Sequence, residues 1–117
     1  MEDEAGLSHA SERDWITVAD ADAIGEQEVM CVTLGDLNLA LYRVCADEWY
    51  CTDNLCTHGN AMLHEGWLED CSIECPLHGG RFDVRTGEPL SEPAQEPLST
   101  YPVRVILGQV QVWVARS

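Results

Sequence analysis

Two short segments of the sequence each bring one cysteine and one histidine close together. The first is Cys56-Thr57-His58, and the second is Cys75-Pro76-Leu77-His78. Thiolates and neutral imidazoles are the side chains that soft and borderline metals bind most readily. Because each segment supplies one of each, two matching loops can present two sulfur atoms to one metal ion and two nitrogen atoms to a second. We therefore predict Cys56, His58, Cys75 and His78 as metal ligands, and we predict no catalytic residue.

This division of ligands is the one that a Rieske-type [2Fe–2S] centre requires, in which one iron keeps two cysteines and the other takes two histidines. A structural zinc site built from the same four residues is an alternative. Zinc sites more often combine a pair of cysteines with a separate pair of histidines, so the observed arrangement favours the cluster. Four ordinary buried side chains are a third interpretation, which their placement in two tight segments disfavours.

The remainder of the sequence is typical of β-structure. The pairs Gly35-Asp36 and Gly108-Gln109 each separate two β-rich runs and predict two hairpins. In the last run, valines alternate with Gln111 and Trp113, which indicates a half-buried strand. The predicted strands are 28–34 (EVMCVTL), 37–44 (LNLALYRV), 48–52 (EWYCT), 101–107 (YPVRVIL) and 110–114 (VQVWV), and 20–25 (DADAIG) is expected to form a short helical turn.

The region from about 54 to 97 differs from its surroundings, because it is rich in glycine, proline, cysteine and histidine. A loop-rich segment of this length is uncommon in a compact domain unless it is functional or held by something else, and a metal centre would hold it. We predict an all-β chain with a β-sandwich or barrel-like base and an inserted, loop-rich cluster-binding subdomain at about 54–97. Residues 1–14 are expected to form a flexible acidic tail, and 15–117 to form the domain.

The composition limits the possible partners. Twenty-one acidic residues against six basic ones give a formal net charge of −15. Such a surface repels nucleic acid and anionic membranes and favours proteins with basic docking patches. No apolar run approaches the roughly 18–20 residues of a membrane span. Six cysteines without an export signal predict a reducing, cytoplasmic location in which disulfides are not the default.

Three stretches resemble a known family. They are 52–59 (TDNLCTHG), 74–84 (ECPLHGGRFDV) and Thr86-Gly87, and they are similar to the Rieske ferredoxins of bacterial aromatic ring-hydroxylating dioxygenase systems, of the naphthalene and biphenyl type. The resemblance extends from about 15 to 114 and implies the Rieske fold with one [2Fe–2S] cluster.

By this resemblance the chain is a monomeric electron carrier. It would take single electrons from an NAD(P)H-dependent flavoprotein reductase and pass them to a terminal oxygenase, which dihydroxylates an aromatic ring. The two histidine ligands would lie at the exposed tip of the subdomain, where partners dock.

Departures from the wider Rieske family bear on the reduction potential. Rieske proteins of respiratory complexes carry a disulfide at the positions held here by Ala61 and Leu77, and a serine at the position of Gly80. Without that hydroxyl, one hydrogen bond that stabilises the reduced cluster is missing. Both departures predict a potential in the lower part of the Rieske range.

Further residues are predicted to support the cluster or the core. Gly59, Gly79 and Gly80 would let backbone amides approach the cluster sulfides, and Pro93-Ala94 lies in 88–97, which resembles the loop that covers the cluster. The other candidates are assigned no ligand role: Cys31, Cys45 and Cys51 are expected to be buried in strands, Cys71 is not a ligand, His64 is expected at the surface, and Trp49, Trp67 and Phe82 are expected in the core.

Two other functions remain to be separated from the carrier. A catalytic oxygenase would need a second iron with two histidines and a carboxylate, and only His9 and His64 remain after His58 and His78 are used. A Rieske subunit or redox sensor in another reductase complex stays open, because its docking surface would have the same character.

Overall fold

The computed structural model describes residues 13–57, 61–77, 79–92 and 94–115. Within these ranges the regular structure consists of β-strands and two short 3-10 turns, at Ala21–Ala23 and Leu63–Glu65. The strands are β1 (Arg13–Asp20), β2 (Glu28–Leu34), β3 (Leu37–Cys45), β4 (Glu48–Asp53), β5 (Trp67–Glu69), β6 (Ser72–Glu74), β7 (Arg81–Asp83), β8 (Pro89–Ser91), β9 (Thr100–Tyr101), β10 (Val103–Ile106) and β11 (Gln109–Ala115).

Two antiparallel sheets form the base of the molecule. One has the strand order β1-β11-β10 and the other the order β2-β3-β4-β9. Alternate residues of facing strands point into a shared core, as in a β-sandwich. The buried residues of this core are Val32, Leu39, Leu41, Cys51, Val110, Val112 and Val114.

The third sheet, β5-β6-β7-β8, is the inserted subdomain. It packs on the opposite face of β3, because Ala40 and Tyr42 belong to the same buried cluster as Ile73 and Phe82. Strand β3 is therefore covered on both faces, and its four residues 39–42 have no exposed surface. This explains why β3 is an almost continuous apolar run, whereas β11 alternates.

The first predicted hairpin is confirmed. Strand β2 has the predicted bounds, and β3 and β4 each extend one residue beyond theirs. Leu34 pairs with Leu37 across the predicted turn, and Gly35 adopts a positive φ of 58°. Glycine takes this conformation without the steric cost that other residues bear. The short helical turn is also present, at Ala21–Ala23.

The second hairpin is displaced by one residue from the prediction. Ile106 pairs with Gln109, so the turn residues are Leu107 and Gly108, both with positive φ, and the predicted turn at Gly108-Gln109 is wrong. Positive φ at both central positions is the geometry of a type I′ turn, which follows the twist of the strands. In addition, Pro102 divides the predicted run 101–107 into β9 and β10.

Strand β1 was not predicted as a strand. It pairs with β11 along its whole length, with one irregularity between Thr17 and Ala19. It begins at Arg13, and residues 1–12 of the predicted acidic tail lie outside the described residues. The division into a tail and a domain stays a prediction.

One side chain connects the base to the subdomain. Gln27 donates from Nε2 to the Val44 carbonyl (2.9 Å) and the Asp70 carbonyl (3.3 Å), and its Oε1 accepts from the Asp70 N–H (2.9 Å). Both Gln27 and Asp70 have positive φ. The side-chain amide thus pairs with the main-chain N–H and carbonyl of Asp70 as a residue of a neighbouring strand would. None of the helical segments in the described ranges is long and apolar enough to cross a membrane.

The turn at Leu107 generates a prediction about stability. Leu107 has φ 52° and its side chain is 99% exposed, so it bears the cost of the left-handed conformation without gaining contacts. Leu107→Asn should raise the free energy of unfolding by about 0.5–1 kcal/mol, because asparagine followed by glycine suits a type I′ turn. Urea titration would measure the change. Gly108→Ala should act in the opposite direction, and an unstable Leu107→Asn protein would contradict the turn assignment.

Candidate metal centre

The first ligand loop is a small hairpin that begins after β4. Leu55 pairs with Met62, and the Cys56 N–H donates to the Ala61 carbonyl at 2.9 Å. The side chain of Cys56 is 3% exposed. His58 and Gly59 lie outside the described residues. The described ends of the loop therefore place the Cys56 thiol against the interior rather than in solvent.

The second ligand loop connects β6 to β7. The Cys75 N–H donates to the Gly80 carbonyl at 2.8 Å, and the Gly79 N–H donates to the Cys75 carbonyl at 3.1 Å. Gly79 adopts a positive φ of 78°, a conformation that glycine takes without steric cost. In both loops the cysteine N–H bonds to the carbonyl five residues later, so the two loops match in backbone pattern. His78 lies outside the described residues.

Both predicted cysteine ligands belong to one buried cluster. Cys75 is 2% exposed and shares with Cys56 a cluster that also contains Ala61, Ala94 and Leu98. A [2Fe–2S] centre needs two thiolates from separate loops that reach the same place. Two buried cysteines at the starts of matched loops fit that requirement. The residues that could hold the group are Cys56 and Cys75 together with His58 and His78, and the full ligand set stays a prediction.

The segment predicted to cover the centre is tied to the first loop. The Thr57 hydroxyl donates to the Glu96 carbonyl at 2.8 Å, and the Ala94 N–H donates to the Ser91 carbonyl at 3.1 Å. Ala94 is buried in the same cluster as the two cysteines, while Pro93 lies outside the described residues. The segment that includes Ala94 and Glu96 therefore packs against the residue that separates Cys56 from His58.

An arginine between two glutamates supports the second loop. Arg81 donates to Glu74 at 3.0 Å and to Glu69 at 3.1 Å. The bond to Glu69 and the charges of both carboxylates raise the pKa of Arg81, although burial acts in the other direction. The Arg81–Glu74 ion pair joins the residue before Cys75 to the residue after Gly80. It thus holds the two ends of the loop together.

The other cysteines differ from one another in their surroundings. Cys51 is buried as predicted, and burial raises the pKa of its thiol to about 12. The expectation of burial is wrong for Cys31 and Cys45, which are exposed. Cys31 lies on β2, an edge strand of its sheet, and Cys45 ends β3 beside the turn to β4. Cys71 is half-buried.

Two further expectations are corrected, one is confirmed and one holds in part. Trp67 is 60% exposed rather than in the core, because the alternation of β5 turns Leu68 inward instead. Phe82 is fully buried as predicted, and Trp49 is half-buried against the base core. His64 is half-buried rather than a free surface residue, and its Nδ1 lies 2.8 Å from Asn54 Nδ2.

Two positions beside the predicted ligand loops were not singled out from the sequence. Gly66 lies so close to the second loop that an added Cβ would be 1.9 Å from the Glu74 carbonyl oxygen and 3.2 Å from Pro76 Cδ. Asn54 is fully buried two residues before Cys56. In the sequence, Asn54 is marked only by its place in the 52–59 motif, and Gly66 only by its place before Trp67-Leu68.

Comparison with known proteins agrees with the predicted metal centre. Residues 14–102 match the Rieske [2Fe-2S] domain family. The ferredoxin component of the naphthalene 1,2-dioxygenase system of Pseudomonas putida is 50% identical over 91 residues, which are 78% of this chain and 86% of that protein. The anthranilate 1,2-dioxygenase ferredoxin subunit of Burkholderia cepacia is 39% identical over 106 residues, 91% of this chain and 97% of that protein.

A solved structure gives a similar result. A chain in the complex of reduced oxygenase and oxidised ferredoxin in carbazole 1,9a-dioxygenase is 42% identical with a TM-score of 0.79, over 84% of this chain and 91% of that chain. The chain belongs to the Rieske [2Fe-2S] domain family. Membership confirms the predicted fold and decides for the [2Fe–2S] cluster over zinc.

The closeness of Gly66 to the second loop generates a prediction. Gly66→Ala should displace the backbone at Glu74 and so disturb Cys75, with a loss of about 1–3 kcal/mol in stability. The iron content per chain of the purified protein should fall below that of the wild type. Gly25→Ala is the matched control, because its added Cβ would meet only the flexible end of Glu28. Full iron content in Gly66→Ala would contradict the tight packing.

Proposed function

We propose that this chain is the Rieske ferredoxin of an aromatic ring-hydroxylating dioxygenase system, and that Cys56, His58, Cys75 and His78 bind its [2Fe–2S] cluster. The observation that carries the proposal is the pair of matched loops. Their two cysteines are buried in the same hydrophobic core. Relatives named as ferredoxin components match most of the chain. The chain is the electron-transfer component of such a system rather than its catalyst.

When bound, a cluster of this type supplies reversible one-electron redox chemistry, at potentials of about −150 to +300 mV. The residues of this chain do the rest. The buried positions of Cys56 and Cys75 keep water from the thiolate side. Ala61 and Leu77 leave no disulfide between the loops, and Gly80 brings no hydroxyl. These three positions support a potential in the lower part of the range.

The proposed partners are a flavoprotein reductase as the electron donor and a terminal oxygenase as the acceptor. A solved complex of oxygenase with ferredoxin in carbazole 1,9a-dioxygenase supports the second partner, and the net charge of −15 favours basic docking patches on both. We propose a cytoplasmic monomer. The free cysteines Cys31 and Cys45 suit a reducing compartment.

The ligand set is tested by electron paramagnetic resonance of the dithionite-reduced protein. Mixed histidine and cysteine ligation should give a rhombic signal with a low average g value. His58→Cys and His78→Cys should each change the spectrum and lower the reduction potential, because a thiolate adds negative charge beside the iron. His9→Cys, at a histidine to which no role is assigned, serves as the control and should leave the signal unchanged. A silent or all-cysteine signal from the wild type would reject the ligand set.

The carrier role is tested by reconstitution. The purified chain, added to a separate NADH-dependent flavoprotein reductase and an aromatic-ring oxygenase, should restore product formation in proportion to its concentration. Cys75→Ser, which lacks one proposed ligand, should restore none. Isolation of the chain only in a fixed stoichiometric complex with a large reductase subunit would instead favour the alternative, a Rieske subunit or redox sensor.

The reduction potential is a separate prediction. Redox titration of the wild type should give a midpoint in the lower part of the Rieske range of about −150 to +300 mV. Gly80→Ser should raise the midpoint, because a hydrogen bond from the added hydroxyl to a sulfur favours the reduced state. A wild-type midpoint well above about 0 mV, within the Rieske range, would overturn the argument from Ala61, Leu77 and Gly80.

A further inference from the structure

Asn54 is the last buried polar residue before the first ligand loop. Its side chain has no exposed surface, and it lies two residues before Cys56. Burying an amide costs free energy unless its donors and acceptors are all satisfied within the protein. The partners of Asn54 therefore show what the residue is positioned to hold.

The side-chain amide contacts two different segments. Its Oδ1 accepts from the His64 backbone N–H at 2.8 Å. Its Nδ2 donates to Asn38 Oδ1 at 3.0 Å and to His64 Nδ1 at 2.8 Å. A backbone N–H can only donate, so the amide oxygen must face it and the amide nitrogen must face the imidazole. His64 therefore presents a lone pair at Nδ1 and carries its ring proton on Nε2.

The backbone of Asn54 makes two more bonds in the same directions. Its N–H donates to the Asn38 carbonyl at 2.9 Å, and its carbonyl accepts from the Leu63 N–H at 2.7 Å. One residue thus joins three places through five hydrogen bonds. The three places are the start of β3 at Asn38, the segment that enters the loop at Asn54 itself, and the segment that leaves the loop at Leu63 and His64.

These hydrogen bonds join the two arms of the Cys56 loop at its base. Closer to the tip, the arms are joined by the Leu55–Met62 pair and by the hydrogen bond from Cys56 to Ala61. The Sγ atom of Cys31 and the Sδ atom of Met62 lie 3.7 Å from Asn54 Nδ2 and fill the remaining space around the amide. Beyond Asn38, the chain continues into residues 39–42 of β3, which have no exposed surface.

We propose that Asn54 is a positioning residue for the metal centre, which fixes both ends of the first ligand loop to β3 and so sets the direction of Cys56. His64 is its partner in this role, because its main chain and its ring both bond to the same amide. The inference rests on the proposed function, since it concerns the cluster that the loop would bind.

Two substitutions of the holoprotein test the inference. Asn54→Leu keeps the size and branching of the side chain but removes every side-chain hydrogen bond. His64→Phe keeps a ring but removes both ring nitrogens, and with Nδ1 the acceptor for the Asn54 amide. The readouts are the g values of the reduced protein and the rate at which a chelator removes iron. We expect shifted g values and iron loss roughly 10- to 100-fold faster in Asn54→Leu, and a smaller change of the same kind in His64→Phe.

Two controls separate positioning from general destabilisation. Tyr101→Phe removes one hydrogen bond, of 2.6 Å, from Asp53, the neighbour of Asn54 on the side away from the loop. Val112→Ala creates a cavity in the base core, away from both loops. Each control should lower the unfolding temperature and leave the g values unchanged. Equal shifts in the controls would show that stability, not positioning, is what Asn54 provides.

The outcomes also separate this inference from the proposed function. A wild-type protein without a rhombic signal would reject the proposed cluster, and the inference with it. A normal wild-type signal, with g values unchanged and iron loss within about twofold of the wild type in both variants, would overturn the role of Asn54 alone. If Asn54→Leu does not fold, His64→Phe decides, because it alters only one bond of a half-buried residue.

Discussion

Burial of β3 on both faces is the constraint on which the rest of the structure depends. Leu39 and Leu41 face the core between the two base sheets, and Ala40 and Tyr42 face the inserted sheet. One strand therefore belongs to two cores, and the cluster on its second face is the one that contains Cys56 and Cys75. The two loops reach a common place because both are anchored to this face. A chain of this length could not provide a separate core for the subdomain.

Local turn chemistry and ligand spacing made much of the structure predictable. Gly35-Asp36 identified a hairpin because the positive φ of glycine is a local requirement. The two cysteine–histidine segments predicted the ligand set by residue type and spacing. The placement of the second turn depended on pairing between strands, which allowed Leu107 to take a conformation that its type disfavours. Strands β5 to β8 have only three residues each, too few to show a period.

The exposure of side chains was only partly predictable from residue type. Phe82 was correctly assigned to the core, whereas Trp67 and Cys31 lie on edge strands of their sheets, and no feature of their own sequence shows this. Similarly, Asn54 satisfies its amide with residues that are ten and sixteen positions away. A buried hydrogen-bonded network of this kind is a property of the tertiary structure, and the sequence offers no periodic signal for it.

The amide of Gln27 has a mechanical consequence. Its three hydrogen bonds connect the Val44 carbonyl, in the base, with the main-chain N–H and carbonyl of Asp70, in the subdomain. A movement of the subdomain relative to the base would have to break these hydrogen bonds and separate the buried side chains that pack against β3. These contacts therefore hold the two parts together. The distance that an electron must cross is then set by how a partner docks, and the affinity and lifetime of that encounter, rather than an internal hinge, would control the rate of transfer.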